Sequence, residues 1–142
     1  MIYTLKIYPK GGMRQAYRVI EISGNTDLNE LCSVILNLFD FDYDHLYLFD
    51  MANERNPYRS SYTFEAEDPI FGIPDAPTLD ELSLGRGSKF QLLYDFGDDW
   101  LFVIHVTKVS EGSGGMKLIK SEGKIYQYGI DEEMDEDEED DW

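Results

Sequence analysis

Three carboxylates and a glycine crowd into one short stretch, Tyr94-Asp95-Phe96-Gly97-Asp98-Asp99-Trp100. Carboxylates this close suit two kinds of chemistry. They can supply oxygen ligands to a hard divalent cation, or they can act as an acid/base pair. The same residues also suit a tight turn. In that reading Asp side chains accept from nearby backbone N–H groups, Gly97 takes a positive φ, and Phe96 and Trp100 pack inward. The letters Asp95-Phe96-Gly97 match the metal-binding motif of protein kinases. No glycine-rich loop, lysine strand or His-Arg-Asp loop accompanies them, so the match carries no weight.

The other reactive side chains are few. His45 and His105 each lie in an aromatic, apolar stretch and read as sheet or core residues. A metal site built from both histidines with Asp95 or Asp98 is formally open, but no ligand spacing is visible, and no cofactor is expected. Cys32 falls on an apolar helix face and reads as a small buried hydrophobe. As the single cysteine it excludes an intramolecular disulfide and a multi-cysteine zinc site, and a lone thiol fits a reducing compartment.

The elements that would position these residues follow from periodicity. Tyr3, Leu5 and Ile7 alternate with polar residues, and Tyr17 to Ile22 repeats the pattern after Pro9-Lys10-Gly11-Gly12, which predicts a hairpin. Thr26 or Asp27 caps a helix whose apolar face is Leu28, Leu31, Cys32, Ile35 and Phe39. His45 to Phe49 reads as a third strand, Asn53 to Ser61 as a loop, and Tyr62 to Glu65 as a paired or edge strand. Prolines 69, 74 and 77 make the next stretch irregular. Thr78-Leu79-Asp80-Glu81 has the capping-box pattern and predicts a short helix through Leu84. Phe90 to Tyr94 and Trp100 to Val109 predict a hairpin around the Asp-rich turn. Lys117 to Tyr128 adds a last short strand or helix.

These elements predict an α+β fold: a mixed or mainly antiparallel sheet, one main helix, and a short second helix packed on it. One domain over residues 1–130 is expected, followed by an acidic tail at 131–142 that mutual repulsion should keep disordered. Twenty-nine acidic residues against 12 basic give a net charge of −17, and ten of the last twelve residues are Asp or Glu. Without that segment the body carries −7. Such a surface repels phosphate backbones and anionic lipid, so neither nucleic acid nor membrane is an expected partner. No apolar run reaches the roughly 20 residues needed to span a bilayer. The N-terminus reads as a strand rather than a signal peptide, and the cytoplasm is the expected location. The tail has three readings: solubilising disorder, a contact for a basic partner protein, or weak binding of divalent cations.

The string from Tyr94 to Trp100 resembles the hallmark Tyr-Asp-Phe-Gly-Asp-x-Trp of the plasmid pRiA4b ORF-3-like family. Nearly the whole domain shares the resemblance. Tyr17-Arg18-Val19-Ile20-Glu21-Ile22 is similar to the family's second strand and Thr26-Asp27-Leu28-Asn29-Glu30-Leu31 to its helix entry. His45-Leu46 with Phe49 is similar to its His-Leu-x-x-Phe strand. Thr78 to Leu82 precedes the hallmark as in the family, and Lys124 to Tyr128 resembles its closing segment. Many members carry a histidine two residues after the tryptophan, where this chain has Phe102. His105 lies on the opposite strand face and does not replace it. The resemblance implies an α+β fold. It also implies a setting on plasmids and beside transposable elements, where some members carry a resolvase label. Recombinase chemistry does not suit this chain, whose five arginines are Arg14, Arg18, Arg55, Arg59 and Arg86.

The expected function is therefore a non-catalytic protein-interaction or accessory module with a basic protein as partner. The possible site is the family motif with His45. Two other readings stand beside it: a metal-assisted hydrolase using the Asp95–Asp99 turn, and an acidic DNA mimic.

Overall fold

The computed structural model describes residues 1–12 and 15–128; the acidic segment 131–142, its Trp142 and Arg14 lie outside the described residues. Seven strands form one sheet: β1 Ile2–Pro9, β2 Tyr17–Ser23, β3 Tyr47–Asp50, β4 Thr63–Glu65, β5 Lys89–Tyr94, β6 Trp100–Ser110 and β7 Lys117–Glu122. Their order is β4-β3-β5-β6-β1-β2-β7, and every neighbouring pair is antiparallel. One helix, α1 Leu28–Phe39, crosses a face of this sheet. The class is α+β, as the periodicities predict.

The period of two sorts the side chains. Tyr3, Leu5 and Ile7 of β1 lie on the inner face beside Ile20 and Ile22 of β2, Phe90, Leu92 and Tyr94 of β5, and Phe102, Ile104 and Val106 of β6. They form one core cluster with Leu28, Leu31, Cys32, Ile35, Leu36 and Phe39 of α1. Burying a side chain of this size contributes roughly 1.5–3 kcal/mol. Asp27, not Thr26, caps α1: its Oδ1 accepts from Glu30 N at 2.9 Å while Glu30 returns a bond to the Asp27 amide. Asp40 ends the helix in the left-handed region at φ 65°, and Phe41 N reaches back to Leu36 O at 2.8 Å. Cys32 is fully buried and burial pushes its thiol well up, so it is an inert core residue.

The segment after β3 folds over one half of the outer face. Leu48, Leu93 and Val103 are buried on this side, and Asp50 and Gln91 hold the segment. Among the described residues nothing covers the other half, across β6, β1, β2, β7 and the Lys89 end of β5.

Three boundaries differ from the sequence reading. His45 precedes the sheet, because β3 starts at Tyr47. The polar loop 53–61 contains a 3-10 turn at Pro57–Arg59, which Asn56 caps by accepting from Tyr58 N. The second helix is a 3-10 turn over Leu79–Leu82 and ends before Leu84, because Ser83 adopts the left-handed region. Its capping box is present, and Leu79 and Leu82 are buried. Tyr62 to Glu65 is an edge strand over Thr63–Glu65, and Lys117 onward gives a strand at the opposite edge.

Candidate functional site

Tyr94 ends β5 with its ring fully buried and its hydroxyl aimed at the segment that follows α1. The oxygen accepts from Asp44 N at 2.9 Å and His45 N at 3.2 Å, and donates to the Asp42 carbonyl. One phenol thereby satisfies three backbone groups that no strand or helix serves. Burial pushes the Tyr94 hydroxyl up to about 12, against the downward pull of the Asp44 and His45 amides. At neutral pH it is a fixed donor.

The turn that follows is built differently from expectation. Gly97 does not take a positive φ; Asp95 (φ 67°) and Asp99 (φ 54°) do. Aspartate tolerates this region because its carboxylate bonds the local backbone. Asp95 Oδ1 accepts from Gly97 N at 3.1 Å and lies 3.4 Å from Asp98 N, while Asp99 N donates to Asp95 O at 2.6 Å. Asp99 Oδ1 accepts from the Tyr58 hydroxyl at 2.6 Å, which ties the turn to the loop after β3. Phe96 is half-buried and meets the Tyr58 ring edge-on at 5.7 Å instead of entering the core.

Trp100 packs inward, edge-on to Phe41 at 4.9 Å and stacked over Phe102 at 6.2 Å. Its Nε1 donates to Gln127 O at 3.3 Å, and Gln127 Oε1 accepts from Asp42 N at 2.7 Å. The closing segment 123–128 is thus strapped across the end of the sheet. Gly123 permits the crossing: its φ is +72°, and a Cβ there would lie 1.6 Å from Gln15 O. Arg18 holds the end of β7, from which the strap departs, to α1. It is 7% exposed, its Nε donates to Leu38 O at 3.0 Å, and its Nη1 donates to Tyr17 O at 2.9 Å and Glu122 O at 2.8 Å. Its guanidinium lies 4.5 Å from the Phe39 ring centroid. α1 has no basic residue in its own last turn, so Arg18 supplies the cation that its C-terminal carbonyls favour.

His45 joins this cluster from the loop. Its Nε2 lies 3.1 Å from Asp44 Oδ1, 3.1 Å from the Tyr128 hydroxyl and 3.5 Å from Asp95 Oδ2. His105 sits elsewhere, on the open face opposite Lys6 and Lys89. Burial lowers its pKa, and the two lysines lower it further. The two histidines therefore do not meet. Among the described residues no group of three His, Cys, Asp or Glu side chains is placed to hold a metal ion. Asp44, His45, Asp95 and Phe96 instead line one side of a shallow depression whose other side is Glu67, Asp68 and Pro69.

Beyond Pro69, in the stretch that the prolines make irregular, lies an exposed apolar tip. Ile70 is 87% and Phe71 79% exposed, at the tip of a tight turn. Asp68 Oδ1 accepts from Ile70 N at 2.8 Å and Phe71 N at 2.6 Å, and Gly72 N closes on Asp68 O at 3.0 Å. The base is fixed to α1, where Asn29 exchanges hydrogen bonds with both backbone groups of Ile73 and accepts from the Tyr47 hydroxyl at 2.6 Å. The available signal was Asp-Pro-Ile-Phe-Gly itself, turn residues enclosing two large apolar side chains with no inward periodicity. Arg18 also left a trace, as the one basic residue at an inward position of an alternating strand.

The model of the plasmid pRiA4b ORF-3-like family matches residues 1–133. The chain belongs to that family. Its fold is similar to the crystal structure of a protein of unknown function from Methanosarcina mazei Go1. That likeness has 23% identity and a TM-score of 0.62, and covers 84% of this chain and 68% of the other. No curated protein matches the chain.

Proposed function

We propose that this chain is a non-catalytic protein-interaction module whose contact surface is the Ile70–Phe71 tip and the acidic depression beside it. The exposure of two adjacent large apolar side chains on a turn that hydrogen bonds hold rigid carries this reading. Rigid aromatic anchors contribute most of the energy at protein interfaces and lose little entropy on binding. Asp44, Glu67, Asp68 and Asp95 line the depression, and Asp68 also caps the turn that carries the tip, so the complementary partner has an apolar pocket with Lys or Arg beside it. The family's plasmid and mobile-element setting supplies the context in which such an accessory protein would act.

The other two readings draw less support. For a hydrolase, the turn carboxylates would need to converge, whereas Asp95 is engaged with its own turn and Asp99 with Tyr58. For a DNA mimic, a regular row of carboxylates is needed, and the sheet face left open among the described residues carries lysines.

The test replaces Phe71 with a photo-crosslinking residue and, separately, both tip residues with serine. The tip is nearly fully exposed, so neither change should alter folding. A basic protein should crosslink from position 71, and the purified pair should lose roughly 30-fold or more in affinity with Ile70→Ser and Phe71→Ser, the loss of an interface hot spot of about 2 kcal/mol. Equal affinity for the serine variant, or turnover of a hydrolysable substrate that vanishes with Asp95→Asn, would refute the proposal.

A further inference from the structure

The open half of the sheet's outer face is basic in an otherwise acidic protein. Two rows of cross-strand neighbours define it. Lys89, His105, Lys6, Val19 and Lys120 lie side by side across β5, β6, β1, β2 and β7. Lys108, Thr4, Glu21 and Lys117 form the adjacent row. Five of the chain's seven lysines are on this face. The carboxylates sharing it are Glu21 and Glu122. Tyr17 lies between two of the cations, with Lys6 Nζ 4.5 Å and Lys120 Nζ 5.7 Å from its ring centroid.

These lysines have no ion-pair partner among the described residues. Among the described residues no lysine or arginine has a carboxylate within 4.0 Å; the ion pairs present belong to the N-terminus and His45. A flat array of unpaired lysines on a body of net negative charge is a surface built for an acidic ligand.

We propose that this face binds the chain's own segment Asp131–Trp142. Charge complementarity is one argument, since ten of those twelve residues are acidic. Reach is the second. The described chain ends at Tyr128 beside His45, at the Tyr94 end of β5. The 14 residues beyond it can extend about 46–50 Å. Lys89 is five residues along β5, about 17 Å away, and the five strands from β5 to β7 span about 19 Å. Tethering is the third: a short linker holds the segment at a millimolar effective concentration, so pairs worth about 0–1 kcal/mol each suffice together. A phosphate backbone would meet the same lysines but must approach a chain of charge −17, which the tethered segment need not do.

The experiment is zero-length carbodiimide cross-linking of the full chain, mapped by mass spectrometry on a mixture of isotope-labelled and unlabelled protein. Acids of 131–141 should form amides with Lys6, Lys89, Lys108, Lys117 or Lys120 of the same chain. Those links should fall at least about threefold in roughly 1 M salt, where the screening length is about 3 Å. A K6Q/K117Q/K120Q variant should lose the corresponding links while unfolding at the same denaturant concentration. Links confined to Lys10 and Lys124, links joining labelled to unlabelled chains instead of within one chain, or no salt-sensitive links at all would each overturn the proposal.

Discussion

Arg18→Met is expected to cost about 2–4 kcal/mol, among the largest losses available from a single polar side chain in this fold. The guanidinium donates to three backbone carbonyls on three elements: Leu38 in α1, Tyr17 in β2 and Glu122 in β7. Methionine keeps the packing on Phe39 but leaves those carbonyls unpaired in a partly buried place. Burial lowers the Arg18 pKa, yet a guanidinium stays charged at any working pH. Lysine should not restore the loss, because one ammonium cannot reproduce the planar fork. Urea denaturation reads the result. A midpoint unchanged in Arg18→Met would mean that Arg18 does not tie β2 and β7 to α1.

Asp50→Ala is expected to cost about 3 kcal/mol, since it strands one buried and three part-buried donors at once. Asp50 is fully buried. Its oxygens accept from Ala52 N at 3.0 Å, Glu54 N at 2.7 Å, Ser60 Oγ at 2.5 Å and Gln91 Nε2 at 2.9 Å. Burial, the largest single influence, pushes its pKa up, but the four hydrogen bonds together outweigh it and the net direction is down. A lowered folded-state pKa fixes the sign. The stabilisation is present above the ordinary aspartate value near 4 and is lost as pH falls through the lower folded value. General charge effects also change on acidification in a protein of −17, so Asp50→Asn isolates this residue. The difference in unfolding free energy between wild type and Asp50→Asn should shrink as pH drops from neutrality to about 3. A difference independent of pH would show that the carboxylate charge is not what those donors recognise.

Much of the architecture was legible because short-range patterns agreed with the tertiary outcome. The alternation in β1, β2, β5 and β6 places one apolar row against the helix, and that helix has the matching 3.6-residue stripe. What escaped notice depended on contacts distant in sequence. Leu46 and His45 continue the apolar pattern of β3, yet Tyr94 takes the amide of His45, so the strand starts later. Gly97 is the residue most suited to positive φ, but the Asp95 carboxylate bonds the amide two residues on and the strain moves to the two aspartates. Phe96 has an aromatic partner in Tyr58, 38 residues earlier, which no local rule indicates. The exposed tip at Ile70 and Phe71 violates the expectation that large apolar residues are buried. Such local violations gather where binding takes place.

The family motif thereby acquires a physical meaning. Tyr94 anchors the loop after α1, Asp95 and Asp99 shape the turn, and Trp100 with Gln127 secures the closing strap. Asp95 and Asp99 are engaged where three segments meet at one end of the sheet.

Native-state hydrogen exchange on Tyr94→Phe tests this most directly. Losing one hydroxyl should speed exchange at the Asp44 and His45 amides roughly tenfold or more, the equivalent of about 1.4 kcal/mol, while β5 and β6 amides away from the turn keep their protection. Unchanged exchange at Asp44 and His45 would contradict the assignment of the motif as a latch.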